Sequence, residues 1–268
     1  MRSIHCFHIC NPKDIMIPKP NQKVPFRYVC KYNRWPGQTA GKLIREYLAG
    51  SFGKLWNLGV PDFLFVQVSQ NHIENFSKLQ PAFFNTLCFG SKYSNRYAEV
   101  DEFYSQVSKG ERSNFPARVE LLKIALFDIW LGNEDRNHNN YNLLIDTENN
   151  NRFIPIDHDQ VFNTGNLNYG LVLLTQDESL LFTDLAKNLF TVKELREGDL
   201  LNEIREDYYI CTSKCERNVQ EILNEIPEEW NLDRDSMENS LLTYLFNNKW
   251  RDSCYRHFLE LIQLRYLS

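Results

Sequence analysis

The feature that most constrains the fold is a polar loop between two apolar segments, LGNEDRNHNNYNLLID at residues 131–146. The residues before it, 116–131, are largely apolar and predict a buried helix with its N-cap at Ser113 or Asn114. Residues 142–145 and 152–156 predict two strands of a hairpin, joined by the turn TENNN. A surface connection would need only a turn residue or two. The density of polar side chains therefore indicates a functional loop, although an Asx-rich surface turn has a similar composition.

The candidate site lies at one end of the predicted hairpin. Asp135 and Asn140 belong to the loop, and the second strand ends in IPIDHD, which contains Asp157. Because the hairpin runs out and returns, Asp157 is expected beside Asn140. Phosphoryl transfer needs such groups, an Asp that orients a hydroxyl and an Asn with a second Asp that bind magnesium. A cap at the end of a strand is the plainer interpretation of Asp157.

A second pair of residues comes from the first fifty positions. FRYVCKY, residues 26–32, alternates in the manner of a strand and carries Lys31, and a predicted helix from Thr39 to Trp56 carries Glu46. We expect Gly59 near the C-cap of this helix. A strand lysine paired with a helix glutamate is typical of kinases. However, the helical period places Glu46 nearly opposite the apolar stripe, where a solvent-exposed side chain is expected, and Lys31 could face solvent too.

Three segments resemble the HipA-like kinases, which are distant relatives of protein kinases and phosphatidylinositol kinases. LGNEDRNHNNYNLLI resembles the family's catalytic loop, and FIPIDHD resembles its metal-binding segment. VCKY followed by REYLAGSFGKLWNLGVP resembles its strand lysine, its helix glutamate and the closing Gly-x-Pro. The resemblance covers roughly residues 24–165. It implies an ATP- and magnesium-dependent phosphotransferase, with a protein Ser/Thr hydroxyl as acceptor and, in some members, a toxin–antitoxin partner.

The resemblance also implies a role for each candidate residue. Asp135 is expected to be the catalytic base, and Asn140 and Asp157 are expected to bind magnesium. Lys31 is expected to contact the phosphates of ATP, and Glu46 to orient Lys31. Arg136 and Asn140 are predicted to bind the cofactor. Alternatively, Arg136 ties the loop to a neighbouring carboxylate.

The sequence departs from the family pattern in two places. Asn137 stands two residues after Asp135, where many relatives have His or Thr, and His138 follows it. No clear Gly-rich phosphate loop precedes Lys31, since NPKDIMIPKPNQ is rich in proline instead. The sequence therefore does not identify the segment that would cover the phosphates.

The whole pattern predicts an α+β chain with a bilobal, protein-kinase-like fold. Residues 1–95 are expected to form a small β-rich N-lobe, and residues 96–268 a larger helical C-lobe that holds the catalytic loop. In the C-lobe, helices are predicted at 177–190, 196–206, 213–225 and 236–265. A chain of 268 residues is long enough to bury a sizeable core in this arrangement.

Composition and charge limit the partners and the cellular location that can be expected for this chain. The net charge is −5 and no basic tail is present, which argues against nucleic acid as the main partner. We find no apolar run long enough for a membrane span and no apolar core of a signal peptide, and the seven cysteines are an odd number. A cytoplasmic protein is therefore expected.

Two rival functions stay open at this point. The first is a nucleotide-binding pseudokinase that acts as an interaction module, which the missing glycine loop favours. The second is a metal-dependent phosphohydrolase, which would use Asp135, His138, Asp157 and His158 but leaves Lys31 without a role.

Overall fold

Two antiparallel sheets organise the fold. The structure, a computed structural model, describes residues 7–9, 27–35, 37–68, 81–100, 107–197 and 199–267. The first sheet has the order β1-β2-β4-β3 and the second the order β5-β6-β7. The strands are β1 Phe7–Ile9, β2 Arg27–Lys31, β3 Phe63–Val66, β4 Cys88–Lys92, β5 Tyr97–Glu99, β6 Leu143–Asp146 and β7 Arg152–Pro155. The chain passes from the first sheet to the second between residues 92 and 97, an interval that contains the predicted lobe boundary.

Helices fill most of the remaining described chain, and their arrangement confirms the predicted α+β class. The α-helices are α1 Gly41–Leu55, α2 Val119–Leu131, α3 Asp184–Leu189, α4 Val192–Glu197, α5 Leu200–Glu225, α6 Arg234–Ser240 and α7 Asn248–Ile262. Short 3₁₀ turns span Pro81–Phe84, Lys109–Asn114, Leu167–Tyr169, Leu180–Phe182 and Glu228–Trp230, and π-helical turns span Leu241–Leu245 and Gln263–Leu267. None of the helices in the described ranges is long and apolar enough to cross a membrane.

Helix α1 ends earlier than the sequence predicts. Asn57 takes a left-handed backbone conformation with φ of 57° and donates its backbone N–H to Lys54, while Leu58 donates to Gly53. These two bonds form a Schellman motif, in which Asn can replace the usual Gly. Gly59 serves another purpose, because a Cβ there would lie 2.6 Å from the backbone oxygen of Phe153. The glycine therefore allows the chain after α1 to pass close to β7.

Helix α2 begins later than predicted and ends where predicted. Ser113 and Asn114 lie in the preceding 3₁₀ turn, and Arg118 is the N-cap without a capping side chain. Gly132 ends the helix with φ of 61°. Ten of the thirteen residues of α2 are buried, and Asp128 is the one charged residue among them. The helix therefore forms the centre of the core and delivers the chain directly into the polar loop.

The later helices differ from the prediction in their boundaries. The predicted helices at 196–206 and 213–225 belong largely to one helix of 26 residues, α5. No Gly or Pro lies between them, so nothing in the chain stops the helix. The predicted helix at 236–265 is divided into α6 and α7 by the π-helical turn Leu241–Leu245. Most of the predicted 177–190 segment forms 3₁₀ turns and the short α3.

One large apolar core joins α1 to the C-terminal helices. Leu48 and Phe52 of α1 and Trp130 of α2 are fully buried in it. A smaller cluster that includes Tyr28, Cys30 and Val66 covers one face of the first sheet. Because side chains alternate along a strand, Lys31 must point to the opposite face, towards α1. Packing of the sheet on α1 therefore sets the position of the candidate site.

Candidate active site

Lys31 lies at the centre of the candidate site. Its ammonium donates to Glu46 of α1 and to Asp157, which follows β7, and it forms ion pairs with both. The three residues come from three elements that are distant in the sequence. Glu46 is 3% exposed, so the expectation of a solvent-facing side chain is wrong. The polar side of α1 is buried because it faces Lys31 and Asp157 rather than water.

Burial and the attraction between opposite charges shift the pKa values of these three groups in opposite directions. Burial raises the pKa of Glu46 to about 7, although Lys31 opposes this shift. Burial alone would also raise the pKa of Asp157, but the Lys31 ammonium outweighs it and holds that pKa below its usual value. Burial lowers the pKa of Lys31, but the two carboxylates outweigh it and raise that pKa above its ordinary value. At neutral pH, Lys31 and Asp157 are charged and Glu46 is close to its titration midpoint.

The carboxylate of Asp135 is held by two amides of the same loop. Asn140 Nδ2 donates to Asp135 Oδ2 at 3.0 Å, and Asn142 Nδ2 donates to the same oxygen at 3.1 Å. Asn142 Nδ2 also lies 3.1 Å from the backbone oxygen of Asp135. These bonds fix the direction of the carboxylate and bring Asp135 and Asn140 into contact.

The loop and the residue after β7 are joined through their backbones. The N–H of Ile156 donates to the carbonyl of Asn142 at 3.0 Å. Asn142 and Asp157 both take the left-handed conformation, with φ of 44° and 57°. Asn and Asp tolerate this conformation better than most residues, and such backbone strain is concentrated at functional sites. The hairpin thus joins Asn142, at the end of the polar loop, to Ile156, which precedes Asp157. The expected proximity of Asn140 and Asp157 stays a prediction.

Arg136 lies behind the loop and is fully buried. It pairs with Asp128 of α2 and donates to the carbonyls of Asn142 at 3.3 Å and Ile156 at 2.8 Å. The prediction that Arg136 binds the cofactor is therefore wrong for this conformation, because its guanidinium has no exposed surface. The alternative, that it ties the loop to a carboxylate, is correct.

The histidines near the loop occupy different environments. His158 is buried, its Nε2 lies 3.2 Å from Arg136 Nη2, and burial together with Arg136 lowers its pKa well below the usual value. His138 is exposed. In the described part of the chain, no three His, Cys, Asp or Glu side chains are grouped so as to hold a metal ion by themselves.

Oxygen donors suitable for magnesium are nevertheless present. Asp157 supplies a carboxylate, and Asn140 supplies an exposed amide whose nitrogen is directed to Asp135, so that its oxygen points elsewhere. Magnesium bound to a nucleotide takes one or two protein carboxylates or amides and completes its shell with phosphates and water. Asn140 and Asp157 fit that requirement, and their role as ligands stays a prediction.

Further polar contacts support the walls of the site. Lys42 pairs with Asp159 at 2.7 Å, and Arg45 Nε donates to the carbonyl of Asp159 at 2.6 Å, so both residues of α1 hold the chain just after Asp157. Glu134, next to Asp135, accepts from Asn163 at 3.0 Å and from Thr164 at 2.6 Å. Helix α1 therefore holds the segment after Asp157, and the same segment contacts the loop through Glu134.

Sequence reasoning missed one buried residue of this site and gave another no specific role. Asp128 was not singled out, although it is the one acid within the apolar run IALFDIWL, residues 124–131. That isolated acid is the signal that could have identified it, since a buried charge needs a partner. Asn142 was noted only as part of a polar turn, whereas its amide holds Asp135. The proline-rich segment at 11–22 and Lys23, an alternative phosphate-binding lysine, lie outside the described residues.

Comparison with known proteins agrees with this geometry. The sequence model of a family described as HipA-like kinase matches residues 27–253. Among solved structures, the chain is similar to the Helicobacter pylori proinflammatory kinase CtkA, with a TM-score of 0.50 and 14% identity over 95% of this chain and 96% of that chain. No curated protein matches the sequence significantly. The structural likeness identifies a fold shared with a kinase and confirms the predicted bilobal, kinase-like architecture.

Proposed function

Because the chain belongs to the HipA-like kinase family, we propose that it transfers the terminal phosphoryl group of ATP, with magnesium, to a Ser or Thr hydroxyl of a protein. Family and fold support a kinase-type phosphotransferase. The observation that carries the finer proposal is the convergence of Lys31, Glu46 and Asp157 beside the loop that carries Asp135.

Lys31 is proposed to bind the phosphates of ATP. Its ammonium already lies between two carboxylates, and Glu46 holds it from the protein side. When nucleotide binds, the bond to Asp157 would be exchanged for a bond to phosphate, which frees the Asp157 carboxylate for the metal. Lysine suits this role as a compact point charge on a flexible stem.

Asp135 is proposed to orient the acceptor hydroxyl and accept its proton. Both loop amides donate to Oδ2, so Oδ1 is the oxygen that faces the acceptor. Positioning of this kind is the main contribution a protein makes to phosphoryl transfer. Magnesium, when bound by Asn140 and Asp157, would supply charge neutralisation on the phosphates.

The proposal is tested by incubating the chain with γ-labelled ATP, magnesium and an arrayed library of Ser- and Thr-containing peptides. We expect transfer by the wild type and a loss of about 10²–10⁴-fold in Asp135→Asn, the range typical of a lost general base. Asn139→Ala, an exposed change in the same loop, is the matched control and should retain activity. Turnover by Asp135→Asn within a factor of about three of the wild type, far less than that range, would refute the role of Asp135.

The two rivals predict other outcomes. A pseudokinase would bind ATP but transfer no phosphate to itself or to any peptide. A phosphohydrolase would release phosphate from esters in the absence of an acceptor, but the burial of His158 against Arg136 argues against His158 as a ligand or base. An antitoxin-like partner and a cytoplasmic location stay predictions from the resemblance and the composition.

A further inference from the structure

A groove of about 400 Å³ lies between α1, β3 and α5, away from the residues of the candidate active site. Its floor is formed by apolar side chains of β3 and by Leu55 and Ile222 from the two helices. Three consecutive residues of β3, Phe63, Leu64 and Phe65, line it. Because successive side chains of a strand point to opposite faces, a groove lined by all three must open along the edge of the strand.

Strand β3 is the edge strand of its sheet. In the part of the chain that the structure describes, it pairs only with β4. Its sequence FLFV carries no charge and no proline, which are the usual means by which proteins block an exposed edge. An apolar edge beside a groove is the arrangement that binds an extended peptide by adding it to the sheet.

Aromatic rings make the groove rigid. Tyr47 packs against Phe63 and Phe65 with ring centroids 5.7 and 5.1 Å away, and Phe65 packs edge-on against Trp230 at 5.2 Å. Lys54 Nζ lies 3.7 Å above the ring of Phe63, so the groove already accommodates one cation on an aromatic face. The floor is therefore preformed and accepts a cationic neighbour.

Carboxylates dominate the rim. Glu221 and Glu225 project from α5, line the groove and are exposed. Asp62, just before β3, lies outside the lining and pairs with Lys92 at 3.4 Å. Glu225 accepts from the hydroxyl of Tyr47, and Lys54 is the one cation among the groove-lining residues. The charge of the rim is therefore negative, which favours a basic partner.

We propose that this groove docks an extended segment of a partner protein, added as a strand to the edge of β3 that no other described strand pairs with. The segment would place an apolar side chain on the aromatic floor. Two positions away on the same face, it would carry a lysine or arginine for Glu221 and Glu225. This inference does not depend on phosphoryl transfer, because none of the groove residues belongs to the candidate active site.

The test is selection of a random short-peptide phage library on the full chain. Three forms are compared, namely wild type, Glu221→Lys at the rim and Glu206→Lys, an exposed residue of α5 outside the groove. Both variants make the same change of charge on the same helix. We expect clones from the wild type and Glu206→Lys to share an apolar residue with Lys or Arg two positions away. Recovery on Glu221→Lys should fall roughly tenfold.

A recovered peptide is then synthesised in its plain form and in two methylated forms, each with one of the two alternating sets of backbone nitrogens methylated, and binding is measured by fluorescence anisotropy. Methylation of the set that faces β3 should abolish binding, and methylation of the other set should not. Equal recovery on Glu221→Lys, clones without the basic pattern, or unchanged binding of both methylated forms would each overturn the proposal. A concentration-dependent dimer of this chain that Glu221→Lys abolishes would also overturn the proposal, since a second copy of the chain would then bind the edge of β3.

Discussion

The carboxyl group of Glu46 is held by two opposing effects. It is almost fully buried, which favours its neutral form, yet it accepts from a lysine that favours its charged form. Burial is the larger effect, so its pKa rises to about 7. Ordinary glutamates ionise near 4.3, so Glu46 of the folded protein retains its proton over a pH range in which the unfolded chain has lost it.

This difference predicts a pH dependence of stability. Between about pH 4.3 and 7 the folded state binds more protons, so the contribution of Glu46 is fully present at the acid end and lost as the pH rises through 7. The loss amounts to roughly 3 kcal/mol at most. We expect the difference in free energy of unfolding between the wild type and Glu46→Gln, both measured with urea in EDTA, to change by this amount between pH 4.5 and 8. His158 also titrates on unfolding but is present in both proteins and cancels. Parallel pH profiles would contradict the assignment.

A second prediction concerns Arg136, which is buried with Asp128. Removing one partner of a buried ion pair costs about 3–5 kcal/mol, whereas replacing both with apolar residues is often neutral. Arg136→Met should therefore lose about 3–5 kcal/mol of unfolding free energy, and Arg136→Met with Asp128→Leu should recover most of it.

Activity should separate from stability in the same variants. Without the guanidinium, the carbonyls of Asn142 and Ile156 lose the donor that joins the two segments. Phosphoryl transfer by the double variant should stay at least about tenfold below the wild type, because small misplacements of reacting groups reduce rates strongly. A double variant that recovers both stability and activity would show that Arg136 has no positioning role.

Individual residues differ in how far the sequence specifies them. Asp135, Asn140 and Asp157 were predicted as site residues because their spacing around a hairpin has chemical meaning, and their roles stay predictions. The burial of Glu46 was not predicted, since helical periodicity separates apolar from polar faces but does not reveal what covers the polar face. Arg136 was assigned to the wrong side of the loop because the orientation of one side chain depends on the position of Asp128 in the fold.

At the scale of elements, an unusual turn follows Asp157. Phe162, Asn163 and Thr164 all have positive φ, at 61°, 47° and 59°, and none is glycine. Asn163 stabilises this turn by donating to Glu134 at 3.0 Å and to Val172 at 3.1 Å and by accepting from Val172 at 2.9 Å. The turn therefore joins Glu134 of the polar loop to Val172.

Asn163→Ala should remove these three hydrogen bonds, each of which contributes about 1 kcal/mol. The left-handed conformation adds about 1–2 kcal/mol for alanine. Asn150→Ala is the matched control, because Asn150 is exposed and left-handed with φ of 54°. We expect the free energy of unfolding, measured by heat or urea, to fall by roughly 4–5 kcal/mol in Asn163→Ala and by about 1–2 kcal/mol in the control. Equal losses would mean that the side-chain bonds contribute nothing.

Element boundaries were predicted less well than element types. The hairpin β6–β7 and helix α1 were identified because their periods and turns are local properties of the chain. The late start of α2, the fusion of two predicted helices into α5 and the π-helical turn before α7 depend on packing against other elements. Propensity and periodicity do not report such contacts.

At the scale of the whole molecule, α1 connects the two lobes. Its apolar face belongs to the large core with α2 and α5, while Glu46 contacts Lys31 of the first sheet. The sequence could predict two lobes from the change of pattern along the chain. It could not predict that α1 belongs to the core of the second, because that depends on which helices meet its apolar face.

This architecture predicts a global response to a ligand that joins the lobes. ATP with magnesium at about 100 times its dissociation constant should stabilise the folded state by about 2.7 kcal/mol if the unfolded chain does not bind it. For a chain of this size, that corresponds to an increase in Tm of roughly 5–10 °C. Asp135→Asn should retain the increase, since Asp135 is proposed to contact the acceptor and not ATP, whereas Lys31→Met should lose most of it. Lys31→Arg should not restore it fully, because a planar guanidinium does not replace an ammonium. An equal increase in Lys31→Met and the wild type would identify another residue as the phosphate-binding cation.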